Sequence, residues 1–274
     1  MNSKNIRHHL KDKMRDWYSS IDDINVRWVI RDNAIITGGA IVSLLTGEPV
    51  NDYDVYFKTK EACQIVAEYY AAKWNDIHVG HTVEVEDCDD HVSLFIRGTG
   101  IVCEKDFDKE NPSESSDKSE KYRPVCLTSN AITLSDKIQV VIRFCGDVDE
   151  IHKNYDFAHC TCSWSSWDDE LRLPTKALEC IINKELYYIG SKYPLCSLIR
   201  TRKYLQRGYH IDAGQYVKMA FQLSELDLKD PQVLEEQLVG VDSAYFQNLI
   251  VTLKAKNNQE IDSNYVIELI DQIF

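Results

Sequence analysis

Two aspartates one residue apart, Asp52 and Asp54, lie in "NDYDVYF", whose alternation and β-forming residues predict a strand. On a strand, residues i and i+2 face the same side with Cα atoms roughly 6.5 Å apart. Two carboxylates so placed can share a pair of divalent cations about 3.5–4 Å apart, which activate an attacking hydroxyl and stabilise a leaving pyrophosphate. Mg²⁺ suits such a site because it takes one or two carboxylates plus substrate phosphates rather than a full protein cage. Upstream, Gly38-Gly39 sits at a strand-to-helix turn. There the missing Cβ atoms let backbone N–H groups approach a phosphate at a helix N-terminus. Ser43, one turn into that helix, adds a hydroxyl donor. Each feature has a bland reading: the aspartates as a solvated pair at a strand end, the glycines as a tight turn. In the order strand, Gly-Gly, short helix, strand with Asp-x-Asp, they form a constellation that neither makes alone.

Those residues need elements to hold them. Residues 4–19 predict an amphipathic helix, with Ile6, Leu10, Met14 and Trp17 three or four apart. "NVRWVIRDNAIITGG" is ambiguous, with "AIIT" as its first strand. "AIVSLLTG" reads as a short helix closed by Gly47. "TKEACQIVAEYYAAKW" reads as a helix capped by Thr59, with Ile65, Val66, Tyr69, Tyr70 and Trp74 as its apolar stripe. "HTVEVE" and "HVSLFIRG" predict strands, and "AITLSDKIQVVIRF" a hairpin turning near Ser135-Asp136. Residues 104–124 carry almost no apolar content and read as an acidic loop or insertion. "EIHKNYDFAHCTCSW" reads as a further strand-like run. From Pro174 the chain turns to helices: "PTKALECIINKEL", "PLCSLIRTRKYLQRG", "AGQYVKMAFQLSEL", "DPQVLEEQLVG", "AYFQNLIVTLK" and "SNYVIELIDQIF".

Composition bounds the rest. The 274 residues, 44% hydrophobic and 27% charged, suit one large domain or two modest ones with a core that needs no disulfide staples. Nine cysteines without framework spacing read as reduced thiols in a cytoplasm-like compartment. No apolar run is long enough to span a membrane, and the polar N-terminus lacks the apolar centre of a secretory signal. A net charge of −13 excludes a general nucleic-acid coat protein, while leaving room for a local basic patch or for cations that screen the carboxylates.

The first motif resembles the nucleotidyltransferase superfamily of DNA polymerase beta, and more closely the tRNA nucleotidyltransferase and poly(A) polymerase head domain. That pattern runs Gly-Gly-Ala, a short helix with Leu-Leu-x-Gly, then Asp-x-Asp. Its matches here are Gly38, Gly39, Ala40, Leu44, Leu45, Gly47, Asp52 and Asp54. The resemblance implies that the two aspartates hold two catalytic Mg²⁺ ions and that the glycine turn faces a nucleoside triphosphate such as ATP. It also implies a third acid, for which "HKNYDFAHC" offers Asp156, with Lys153 upstream. Glu84 and Glu86 are rivals, and Arg143 and Lys153 are cations that can face triphosphate. "PLCSLIRTRKYLQRGYHI" is similar to the family's neck segment, matching at Pro194, Leu195, Leu198, Arg202, Gly208, Tyr209 and Ile211. Arg200, Arg202, Lys203 and Arg207 crowd one helix there and mark a local anion site, for triphosphate or an RNA backbone. They read equally well as a solvated face. Two departures stand out. Val42-Ser43 replaces the family's Arg-Asp, and no Glu-Asp-x-x-Arg signature of base choice is present.

Other constellations are weaker. "HCTC" offers His159, Cys160 and Cys162, but C-x-C is not finger spacing and no second pair follows. "GTG" at 98–100 is too short for a dinucleotide loop. Trp164 and Trp167 can stack a base or pack in a core.

The expectation is therefore an α+β protein: a nucleotidyltransferase palm of mixed sheet and helices over 1–170, then an all-helical domain over 171–274. Asp52, Asp54 and Asp156 form its metal site. Gly38, Gly39, Ser43, Lys153 and Arg202 receive the nucleotide. The acceptor is an RNA 3′ end, tRNA-like or otherwise; the alternatives are transfer to a small molecule or protein, or a non-catalytic nucleotide- or RNA-binding protein.

Overall fold

The computed structural model describes residues 1–78, 82–96, 101–104 and 120–238. The last two expected helices, most of the 104–124 loop and the "GTG" stretch lie outside the described residues. The fold is α+β, and the chain divides into two compact units, 1–153 with 159–181 and 154–158 with 182–274. Residues 171–181 thus belong with the first unit.

The first unit is built on an eight-stranded mixed sheet. Its strands are β1 (Ala34–Thr37), β2 (Tyr53–Phe57), β5 (Ile101–Cys103), β6 (Pro124–Thr128), β7 (Ala131–Leu134), β8 (Ile138–Cys145), β9 (Ser163–Ser165) and β10 (Leu171–Arg172). Their order is β10-β9-β1-β2-β8-β7-β6-β5. Every described pairing is antiparallel except β2 with β8. β3 (Val83–Asp87) and β4 (Val92–Ile96), both expected, form a second, two-stranded sheet.

Helix α1 (Ser3–Ser19) buries the expected stripe of Ile6, Leu10, Met14 and Trp17. The ambiguous "INVRWVIRDN" is helix α2 (Ile24–Asn33), because the Asp23 carboxylate accepts from the N–H groups of Asn25 and Val26. Thr59 caps α4 (Lys60–Ile77) as expected, its hydroxyl accepting from the Ala62 N–H. The buried stripe of α4 is shifted, however. Ala62, Cys63, Val66, Ala67, Tyr70, Ala71 and Trp74 face inward, while Ile65 is exposed. Small residues at three- and four-residue spacing define the inward face here, and large apolar residues alone misplace it. One core cluster joins these helices to Ile36, Val55, Ile132, Ile138, Val140 and Trp164 of the sheet.

Three expectations fail. Residues 150–164 are not strand-like throughout: α5 (Val148–His152) begins at a capping box between Asp147 and Glu150, and only Ser163–Ser165 is strand. The loop after residue 104 ends early, since Tyr122 is 2% exposed and Pro124 opens β6. The nine cysteines are not all thiols. Cys103 and Cys126 stand directly opposite on β5 and β6 and are disulfide-bonded, a juxtaposition that their separation of 23 residues conceals. The remaining seven are not disulfide-bonded.

The second unit holds α7 (Pro194–Gln206), α8 (Ala213–Ser224) and α9 (Pro231–Leu238); α6 (Thr175–Asn183) crosses the division at 181/182. The unit's centre is aromatic: Phe157, Leu186, Tyr188, Tyr209 and Met219 are buried together, and the Phe157 ring meets Tyr188 and Tyr204 edge-on. Among the described residues no helix is long and apolar enough to cross a membrane.

Candidate nucleotide and metal site

β1 runs into the glycine turn, β2 carries Asp54, and Asp52, expected on the same strand, immediately precedes it, so the β1–β2 pairing decides whether the two motifs meet. Thr37, the last residue of β1, stands opposite Asp54. Gly38 and Gly39 continue one step beyond that rung, toward the residue level of Asp52. Directly opposed antiparallel residues have Cα atoms about 4.5–5.5 Å apart. The motifs are therefore brought to one end of one strand pair, Asp52 exposed and Asp54 half-buried.

The turn itself needs glycine. Gly38 has φ 85° and ψ −143°, a conformation that L side chains rarely adopt. It is the N-cap of α3 (Gly39–Thr46), and a Cβ built on exposed Gly39 meets nothing within 4 Å. The first turn of α3 thus has backbone N–H groups without intrahelical partners and open space beside Gly39. Its far end is closed by Gly47 at φ 79°, as expected, and by the N-terminal ammonium, which donates to the carbonyls of Leu44 (3.1 Å) and Leu45 (3.3 Å). A cation there complements the helix dipole.

Residues that face each other across strands share a side of the sheet. The rung through Asp54 reads Gln139 on β8, Asp54, Thr37, Ser163 on β9 and Arg172 on β10. Every member is polar. The neighbouring rung, Val140, Val55, Ile36, Trp164 and Leu171, is wholly apolar and faces the core. Onto the polar row His152 descends from the end of α5, its Nε2 2.8 Å from Thr37 Oγ1. Burial pushes the His152 imidazole down to about 4, Asp149 opposing this and Arg172 adding to it. The ring is therefore neutral at pH 7. Sequence spacing carried no signal for this row, because Thr37 and His152 are 115 residues apart and Gln139 comes from a strand parallel to β2.

The other expected residues lie on other elements. Ser43 is 8% exposed on α3, Lys153 is exposed at the C-cap of α5, and Arg202 is exposed on α7 of the second unit. Asp156 also belongs to the second unit, where its carboxylate accepts from the Arg200 guanidinium at 2.7 Å. Glu84 and Glu86 are exposed on the separate two-stranded sheet. Arg143 on β8 lies 3.0 Å from the His91 ring nitrogen. Trp164 is a core residue, its indole N–H donating to Asp169, whereas Trp167 is partly exposed with the Lys58 ammonium 4.9 Å from its ring centre. The Cys160 thiol lies 3.3 Å from the His159 ring, both buried. Among the described residues no three His, Cys, Asp or Glu side chains form a metal cage. Two carboxylates beside an open helix N-terminus still fit Mg²⁺, which leaves most of its shell to water and phosphate.

Comparison with known proteins follows from this geometry. The chain resembles solved structures of a CCA-adding enzyme in complex with CTP (TM-score 0.42, 13% identity, 92% of this chain and 51% of that one). It also resembles the Thermotoga maritima CCA-adding enzyme complexed with tRNA (TM-score 0.41, 11% identity, 88% of this chain and 54% of that one). At these scores the structural likenesses carry no functional weight. A curated relative, "Gabija anti-defense 2" of Bacillus phage SPbetaL7, is 23% identical over 235 residues, covering 85% of this chain and 48% of its own length. The chain thus spans about half the length of the curated relative it matches. A family model described as Gad2, Gabija anti-defense 2 family protein, matches residues 8–184, which take in both motifs of the first unit, and the chain belongs to that family.

Proposed function

We propose that the chain is a metal-dependent nucleotidyltransferase of the anti-defence class. The observation that supports it is the Thr37–Asp54 rung, which sets the Gly38-Gly39 turn and the Asp52/Asp54 pair at one end of β1 and β2. In this reading an acceptor hydroxyl attacks the α-phosphorus of a nucleoside triphosphate in line, a new P–O bond forms, and the bond to pyrophosphate breaks. Asp52 and Asp54 hold Mg²⁺, and one of them orients the hydroxyl or takes its proton. Mg²⁺ supplies Lewis-acid stabilisation of the charge that builds on the leaving phosphate. The N–H groups of the first turn of α3 receive the β- and γ-phosphates, and Lys153 adds positive charge for the triphosphate or the acceptor. Two carboxylates suffice for this chemistry, so Asp156 is assigned to fixing Arg200 rather than to the metal.

The family name favours an acceptor within the Gabija defence system, reached in the cytoplasm of the infected cell. An RNA 3′ end is the second acceptor, supported by the neck-like helix α7 with its exposed Arg202 and Lys203. The full chain, incubated with α-labelled nucleotides, Mg²⁺ and lysate from cells carrying that system, decides between them. Label in protein supports the first, label in RNA the second. Asp52→Asn and Asp54→Asn are each expected to lower transfer at least 100-fold with the fold intact. Near wild-type turnover in either variant removes the metal assignment.

A further inference from the structure

The contact between His152 and Thr37 can be read for the direction of its hydrogen bond. Thr37 Oγ1 carries a single proton. It lies 2.8 Å from the Cys162 carbonyl oxygen, which only accepts, 3.5 Å from that of Cys160, and 2.8 Å from His152 Nε2. With the hydroxyl proton committed to Cys162, the short contact to the imidazole is satisfied only if His152 Nε2 carries a hydrogen and donates it. We infer that His152 is a positioning residue: its Nε2–H, through the Thr37 hydroxyl and on to the Cys162 carbonyl, pins the end of β1 where the chain enters the phosphate-binding turn.

Three observations bear on this. Thr37 is fully buried, immediately precedes Gly38 with its positive φ and stands opposite Asp54. A change in its side-chain anchorage therefore reaches the turn and the metal-binding strand together. The chain of donors ties three separate pieces, α5, β1 and the residue that leads into β9, at one point. The ring is neutral at pH 7, so it supplies a directed donor without placing a fixed positive charge beside the aspartates. Asp149, on its own helix, and Arg172, on β10, are the charged groups that act on it.

The inference rests on the nucleotidyltransferase reading, and its test separates the two. The full-length chain is titrated with a non-hydrolysable ATP analogue and Mg²⁺ well below its melting temperature, as wild type, His152→Gln, His152→Phe and Thr37→Val. Gln retains an N–H donor at comparable reach and is expected to bind within about twofold of wild type. Phe and Val are expected to weaken binding about tenfold, equivalent to about 1.4 kcal/mol. Long-range ¹H–¹⁵N spectra of the wild type should show the His152 ring protonated at Nε2 alone at pH 7. If the wild type binds and the Phe variant binds equally well, the positioning role is overturned while nucleotide binding stands. A ring protonated at Nδ1 overturns it whatever the variants do, including variants that fail to fold. If the wild type binds no analogue, the nucleotide reading falls and this inference falls with it.

Discussion

Asp156 is where the sequence resemblance and the folded chain pull in different directions, and its pair with Arg200 can be cut from either side. The Asp156 side chain is 7% exposed and the Arg200 side chain 33%, with 2.7 Å between carboxylate oxygen and guanidinium nitrogen. Fully exposed pairs contribute roughly 0–1 kcal/mol, whereas breaking a buried one costs about 3–5 kcal/mol. This pair lies between, and unevenly. Arg200→Met strands a carboxylate that almost no water reaches, so the expected cost is about 2–3 kcal/mol. Asp156→Asn leaves a guanidinium that still touches water and an amide oxygen that still accepts from it, for about 1–2 kcal/mol. The double variant should lose less than the two singles together, by about 1–2 kcal/mol. All five tryptophans, at 17, 28, 74, 164 and 167, lie in the first unit, so their fluorescence does not report on this pair. Amide hydrogen exchange over 182–225 does. Exchange there should quicken roughly 30- to 150-fold in Arg200→Met and 5- to 30-fold in Asp156→Asn, with the β-sheet amides as internal control. Unchanged protection in both variants refutes the anchoring role. Lost transfer in Asp156→Asn with protection intact would instead return Asp156 to the metal site.

Further predictions concern the first unit. Gly38→Ala forces a side chain into φ 85° and is expected to cost about 1–3 kcal/mol in urea unfolding, with weaker nucleotide binding in the folded protein. The Trp17 indole donates to Tyr70 Oη at 2.7 Å inside the core; Tyr70→Phe orphans that donor and should cost about 1–3 kcal/mol by the same assay. His152 gives a pH dependence. Its proton affinity falls on folding from the ordinary 6.5 to about 4, so the native state binds fewer protons than the unfolded chain and loses stability as pH drops from about 6.5 toward 4. The loss is at most about 3 kcal/mol, and roughly 1–2 kcal/mol once partial contact with water is allowed for. Stability measured between pH 7.5 and 4.5 should therefore fall more steeply in the wild type than in His152→Gln, and parallel curves would remove the assignment.

What the sequence disclosed is what short-range chemistry dictates. The stripe of α1, the Thr59 cap, the Gly47 stop and the turn near Asp136 are decided within a few residues, and all appear in the fold. The Gly-Gly and Asp-x-Asp motifs could be placed beside each other because they flank one helix and lie on sequential strands. Ser163, Gln139 and His152 could not, since each reaches the polar row through a long-range pairing. The same cause hid the Cys103–Cys126 bridge and the capture of Asp156 by Arg200, 44 residues away. Residues 148–152 were missed for a different reason. Their helix is set by a reciprocal capping box rather than by apolar periodicity, and an alternating strand pattern is easily read through so short an element.

The acidity of the chain fits this arrangement once the order of binding is considered. With a net charge of −13, the surface repels a free triphosphate at long range, and α3 offers only the partial charge of a helix end. Asp52 and Asp54 concentrate two of those negative charges at the same place. Without a cation that combination is repulsive, whereas with Mg²⁺ the carboxylates become the reason the triphosphate stays. On the proposed reading, nucleotide and metal therefore bind as one unit or not at all. His152 belongs to the same logic, because a donor that is neutral at pH 7 can fix the geometry of the turn without competing with Mg²⁺ for the aspartates.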